Sequence, residues 1–134
     1  MRAAAALLLL AGGAAPAVPC TSPLQGRPQW RIDGPDLQIV FIADPAPLQS
    51  GRHFALNFFV CAQAGAVLPE RVQVDADMPA HRHGMNYAAS VTPLGAGSYR
   101  AEGLMFHMPG RWRFIFDLTR NGQTTRLTRE VEVP

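Results

Sequence analysis

Arg111-Trp112-Arg113-Phe114-Ile115-Phe116-Asp117-Leu118-Thr119-Arg120-Asn121-Gly122 is the stretch that decides the fold. Trp112, Phe114, Phe116 and Leu118 fall on one side of an extended chain and Arg111, Arg113, Ile115 and Asp117 on the other. That two-residue period belongs to a strand with one buried face. Asn121-Gly122 then supplies a two-residue turn, because both residue types accept the positive φ that a tight hairpin demands, and Gln123 to Val133 returns as the partner strand.

The same pattern recurs upstream. Val72, Val74, Ala76 and Met78 alternate with Arg71, Gln73, Asp75 and Asp77, so the acids face outward and the strand ends at Pro79. His53 to Cys61 carries Phe54, Leu56, Phe58 and Val60 on one side, and Leu37 to Ile42 is a short apolar run closed by Asp44-Pro45-Ala46-Pro47. Met85 to Thr92 and Ser98 to Phe106 flank Pro93-Leu94-Gly95-Ala96-Gly97, which predicts a second hairpin. About seven antiparallel strands, with no helical period after residue 17, predict an all-β, immunoglobulin-like two-sheet β-sandwich over residues 36–134. Residues 18–35, rich in proline and glycine, are expected to be an extended N-terminal segment.

Composition agrees with that class and narrows the function. The chain has 134 residues, enough for one core, and its 12 prolines and 12 glycines suit short strands and tight turns rather than a helical bundle. Its 12 basic residues are all arginine and barely exceed the 10 acids, for a net charge of +2. So slim an excess offers no basic face for nucleic acid.

The first 17 residues read as an export signal: Met1-Arg2, an apolar run with four leucines at Leu7 to Leu10, then small residues up to Ala15-Pro16-Ala17. The run is shorter than the roughly 20 residues of a spanning helix, so no membrane span is expected after cleavage. Cleavage after Ala17 would leave a periplasmic or secreted chain. Lipidation of Cys20 is the alternative; Pro19 directly before it matches a lipoprotein signal poorly. Cys20 and Cys61 are the only two cysteines, and an oxidising compartment favours pairing them as a disulfide that tethers the N-terminal segment. If Cys20 carried lipid, Cys61 would be a buried thiol or a soft ligand.

Soft side chains are distributed unevenly. Apart from Met1, every methionine (Met78, Met85, Met105, Met108) and three of the four histidines (His81, His83, His107) lie between residues 78 and 108. They form two groups, Met78-Pro79-Ala80-His81-Arg82-His83-Gly84-Met85 and Met105-Phe106-His107-Met108-Pro109-Gly110. Imidazole with thioether suits copper, and the thioether favours Cu(I) over zinc, calcium or magnesium. A thioether carries no proton to lose near neutral pH, which suits metal carriage. Against this, Met78 continues the inward parity of its strand and reads as core, Met105 is doubtful in the same way, and an isolated His-x-His is more often solvated loop than ligand. His53 reads as a surface or strand-end residue, Tyr87 and Trp112 as packing, though an aromatic beside a copper site can shield it from water.

Enzymatic readings lack their signatures. No strand-turn-helix nucleophile elbow is present, Val60-Cys61-Ala62-Gln63-Ala64-Gly65 lacks the histidine a blue-copper centre needs, and zinc-finger spacing is absent. No catalytic residue is assigned.

Three segments in order, Asp77 to Met85, Gly97-Ser98-Tyr99-Arg100, and Phe106-His107-Met108-Pro109-Gly110-Arg111-Trp112, resemble the YtkA-like family. The family pattern is a Met-Pro-x-His-x-His-Gly-Met-like segment, a Gly-x-Tyr strand and a Met-x-Gly-x-Trp segment in a small exported sandwich. Related FixH-like proteins, associated with assembly of copper-containing oxidases, share the later part but carry a membrane helix. The resemblance implies copper handling, with His81, His83, Met85, His107 and Met108 as candidate ligands, and a cuproprotein or oxidase-assembly partner. The expectation is thus a non-enzymatic copper-binding or copper-delivery protein. A metal-free interaction module of a cell-envelope assembly is the alternative, since methionine-rich patches also serve adaptable binding.

Overall fold

A computed structural model describes residue 13, residues 20–63 and residues 65–134. The expected signal at residues 1–17 lies outside the described residues, save Gly13. Nine strands occur among them: β1 (Trp30–Asp33), β2 (Leu37–Asp44), β3 (His53–Ala62), β4 (Arg71–Met78), β5 (His83–Gly84), β6 (Ser90–Gly95), β7 (Ser98–Met105), β8 (Gly110–Arg120) and β9 (Gln123–Val133). No described residue is helical.

Two antiparallel sheets form, in the orders β1-β2-β3-β7-β6 and β5-β4-β8-β9. With β1 and β5 set aside, β2-β3-β7-β6 and β4-β8-β9 take the A-B-E-D and C-F-G places of an immunoglobulin constant-type sandwich. The predicted fold class therefore holds. Its core is the interleaving of the two inner faces: Trp112, Phe114 and Phe116 from β8 meet Phe41, Phe54 and Phe58 from the facing sheet, and all six are 5% exposed or less. Their rings meet edge-on or tilted, with Phe41 5.3 Å from Phe114 and Phe58 5.4 Å from Phe116. Burial of each such ring contributes roughly 1.5–3 kcal/mol.

Sequence expectations fail where an element is too short to show a period. Trp30 and Ile32 lie within the expected extended segment, yet they form β1 because they alternate inward and Trp30 stacks on Phe41 at 5.3 Å. The strand expected from Met85 begins only at Ser90; Met85 to Ala89 instead bends away from the sheet after β5. Pro93 lies within β6 rather than in the turn, tolerated because β6 is an edge strand, and a register shift follows between Pro93 and Gly95. The hairpin turn itself is Ala96-Gly97, both at positive φ, as are Asn121-Gly122 in the other predicted hairpin.

Outside the sandwich, the second sheet presents rungs of forked charge pairs. Arg113 donates from Nε and Nη2 to the two Asp77 oxygens at 2.9 and 2.7 Å, and Arg126 does the same to Asp117 at 2.8 Å each. Ile115, expected on this outward face, is there but only 8% exposed, because these long side chains flank it. Arg126 holds the Asp117 carboxyl below its ordinary range through that hydrogen-bonded fork. Cys20 and Cys61, expected as a disulfide, are free thiols.

A paired substitution tests the hairpin. Gly97 sits at φ +83 with a would-be Cβ 2.6 Å from the Val60 carbonyl oxygen, whereas Gly122, at φ +75, has open space around it. Gly122→Ala should cost about 1–2 kcal/mol through its backbone conformation alone. Gly97→Ala should cost about 1–3 kcal/mol more, since backbone must move; urea unfolding of both variants measures the difference. The Asp117 fork is tested by pH. A carboxyl with a lowered folded pKa stabilises above its unfolded pKa and loses that contribution as pH falls through the folded value. Asp117→Asn should therefore cost less than about 1 kcal/mol at neutral pH, the pair being solvent-screened, and the gap to wild type should close as pH falls through and below the ordinary aspartate range.

Candidate metal centre

Two connections build the site at one end of the sandwich. The first is the β4–β5 turn, Pro79 to Arg82, closed by the His81 amide donating to the Met78 carbonyl at 3.0 Å. Arg82 takes φ 53 there, and β5 then pairs His83 with Met78 and Gly84 with Asp77. The Met85 amide donates to the Ala76 carbonyl at 3.2 Å, fixing the exit of the hairpin. His81 is exposed and His83 half-buried.

The second is the link from β7 to β8, Phe106 to Pro109. Phe106 is fully buried, and its carbonyl accepts from the Gly51 amide at 2.7 Å, which anchors the link at its start. Trp112, also fully buried, stacks on Phe106 at 4.5 Å and donates its indole N–H to the Met108 carbonyl at 3.0 Å. His107 is held outward between these two anchors.

Two imidazoles, His83 and His107, meet against this indole, and a third, His81, adjoins His83. The ring centroids of His83 and His107 lie 5.0 Å apart, and those of His81 and His83 5.7 Å apart. His83 and His107 both set an edge against Trp112, at 5.9 and 5.3 Å. Convergence of His107 with the His-x-His pair, which no local pattern could establish, follows from the sandwich topology.

The spacing bears on whether these residues suit a metal. Two imidazoles sharing one ion at a nitrogen distance near 2.0 Å have centroids about 5–6 Å apart, so both spacings are those of rings that could share an ion. As placed, however, no three His, Cys, Asp or Glu among the described residues form a closed ligand group. Rotation of the exposed rings of His81 and His107 would be needed to close one.

The thioethers divide. Met78 is 2% exposed and packs beneath Gly110, whose absent Cβ would sit 2.8 Å from the Met78 methyl, so its reading as core holds. Met108 and Met85 are partly buried against the core. Met108 adjoins His107, whereas Met85 lines a groove of about 670 Å³ between the β4 and β6 edges, with Val72, Val74, Tyr87 and Val91. His53 stands apart from the cluster, against Tyr87 at 5.1 Å. Trp112, read from sequence as a packing residue of a kind that can shield a copper site from water, is also the platform against which two histidines stand.

A family model described as YtkA-like matches residues 35–117, spanning all five candidate ligands and Trp112. Searches among curated proteins and among solved structures return no match.

Trp112→Phe should remove the bond to the Met108 carbonyl and leave a small void, costing about 2–3 kcal/mol. By NMR, the ring protons of His83 and His107 should shift while those of His53, packed on Tyr87, stay in place. Unchanged His83 and His107 resonances would contradict the platform role.

Proposed function

The chain belongs to the YtkA-like family, and from that membership we propose that it is an exported copper-binding and copper-delivery protein without catalytic turnover. The observation that carries this reading is the row of His81, His83 and His107, spaced at 5.7 and 5.0 Å, with His83 and His107 against Trp112. Met108 adjoins His107 and Met85 lies two residues past His83, and a mixed imidazole and thioether set favours Cu(I).

Here copper is cargo, so the site must release it. Exposed rings on a turn and a link can be displaced one at a time by an incoming ligand, whereas a closed, buried site would hold the ion. The indole beneath keeps water from one side of the cluster and leaves the other open to a donor or acceptor protein. A cuproenzyme under assembly, such as an oxidase, is the acceptor this chemistry suits.

The second reading is a metal-free interaction module. What favours it is the groove beside the site, where Met85 and the 44%-exposed Tyr87 present apolar surface. Anaerobic Cu(I) titration against a competing chelator separates the two. The copper reading expects stoichiometric binding that weakens at least about tenfold in a His81→Ala/His83→Ala/His107→Ala variant that remains folded. Equal binding by the folded variant, or none by the wild type, would leave the interaction module as the better account.

A further inference from the structure

From Arg71 to Asp75 the edge of β4 away from β8 has no described strand beside it, since β5 pairs only with Asp77 and Met78. Which backbone groups face that edge is fixed by the neighbouring contact. The Ala76 carbonyl accepts from the Met85 amide on the β5 side. Groups two residues apart on an antiparallel strand turn the same way, so the N–H and C=O of Val74 and Val72 also point away from β8. The run stops at groups already engaged. At one end the Ala76 amide is capped by the Asp75 carboxylate at 2.8 Å, and at the other the Glu70 amide turns to the Thr119 carbonyl at 2.9 Å. Val72 and Val74 are therefore left with a free donor and a free acceptor each, along the groove that Met85 and Tyr87 also line.

We propose that this edge is a self-association site, where β4 pairs antiparallel with β4 of a second copy of the chain about a two-fold axis at Gln73. In such a pair, if residue i of one copy meets residue j of the other, then j meets i. With the axis at Gln73, Val72 of each copy meets Val74 of the other, and every free group on both edges finds a partner. An axis at Val72 would set Val74 against Glu70, whose amide is committed to Thr119. An axis at Val74 would set Val72 against Ala76, whose N–H and C=O are both taken. The register that joins free groups to free groups also places Arg71 of each copy opposite Asp75 of the other, on the exposed face of the strand. Among the described residues neither side chain has an ion-pair partner within its own chain. Charges that guard an edge against pairing are of one sign; these two are opposite and equally far from the axis, so the edge attracts its own image. Val67 and Leu68 just before β4, with Tyr87 in the groove, are three of the four exposed large apolar side chains among the described residues. The pairing leaves the two histidine clusters at opposite ends of the joined edge, so it neither rests on the copper reading nor supplies a ligand to it.

Sedimentation equilibrium of the full chain, with a metal chelator present, should show a monomer–dimer equilibrium. Arg71→Asp or Asp75→Arg alone sets like charges opposite each other twice per dimer and should weaken it at least about tenfold. The Arg71→Asp/Asp75→Arg exchange restores both pairs and should return affinity to within about threefold of wild type. A wild-type chain that stays monomeric up to about 1 mM, or a dimer indifferent to the single reversals, would overturn the proposal. Because Asp75 also caps Ala76, a cross-link that leaves both charges in place reads the register separately. In a Cys20→Ser/Cys61→Ser background, Gln73→Cys puts a thiol on the axis, where residues of a non-hydrogen-bonded pair have Cα atoms about 4.5 Å apart, a span that a disulfide bridges. Mild oxidation should link that variant into a dimer, whereas Arg71→Cys, which faces position 75 rather than itself, should remain unlinked. Equal cross-linking of the two variants, or none of Gln73→Cys, would also overturn the proposal.

Discussion

The Trp112 indole is the point on which core and site both depend. It is fully buried, its face is taken by Phe106, its N–H by the Met108 carbonyl, and its periphery by His83 and His107. A buried indole must find an acceptor for its one donor or incur the desolvation cost of an orphaned N–H. Here the acceptor is supplied by the connection that carries His107. The need to satisfy one core side chain therefore dictates the path of a functional loop.

The edges of the sandwich are treated unequally. On one side β1 lies beside β9, and Arg129 reaches the Arg31 carbonyl at 3.3 Å to close the gap. On the other, β5 is only two residues long, so β4 is paired beyond β8 only at Asp77 and Met78. Alternation along an antiparallel strand turns the backbone groups of Val72 and Val74 toward that open edge, as it does those of Ala76, whose amide is capped by the Asp75 carboxylate at 2.8 Å. The candidate metal residues thus stand at the end of the less protected edge.

Much of the fold could be read from the chain because its long strands repeat inward residues with a period of two, and the phases of β3, β4 and β8 are those expected. Parity also placed Met78 in the core. What failed were features with no room for a period. Two inward residues sufficed for β1 once Phe41 was there to stack on, and β5 exists only because the Pro79 to Arg82 turn folds it against Met78. The His-x-His pair was visible locally, but the approach of His107 depends on which strands become neighbours. Ile115 shows a subtler limit: its side of the strand was legible, and its burial was not, because shielding comes from arginines on adjoining rungs.

His83 belongs to the four-stranded sheet and His81 to the turn joining two of its strands, whereas His107 rides on the strap that crosses from one sheet to the other. The gap between His83 and His107 is consequently a calliper set across the sandwich. Interiors packed at crystalline density resist compression, so that calliper is stiff. Substitutions that swell or thin the aromatic layer, however remote from the histidines, would reset its jaws, and the volume of the core becomes part of the definition of the site.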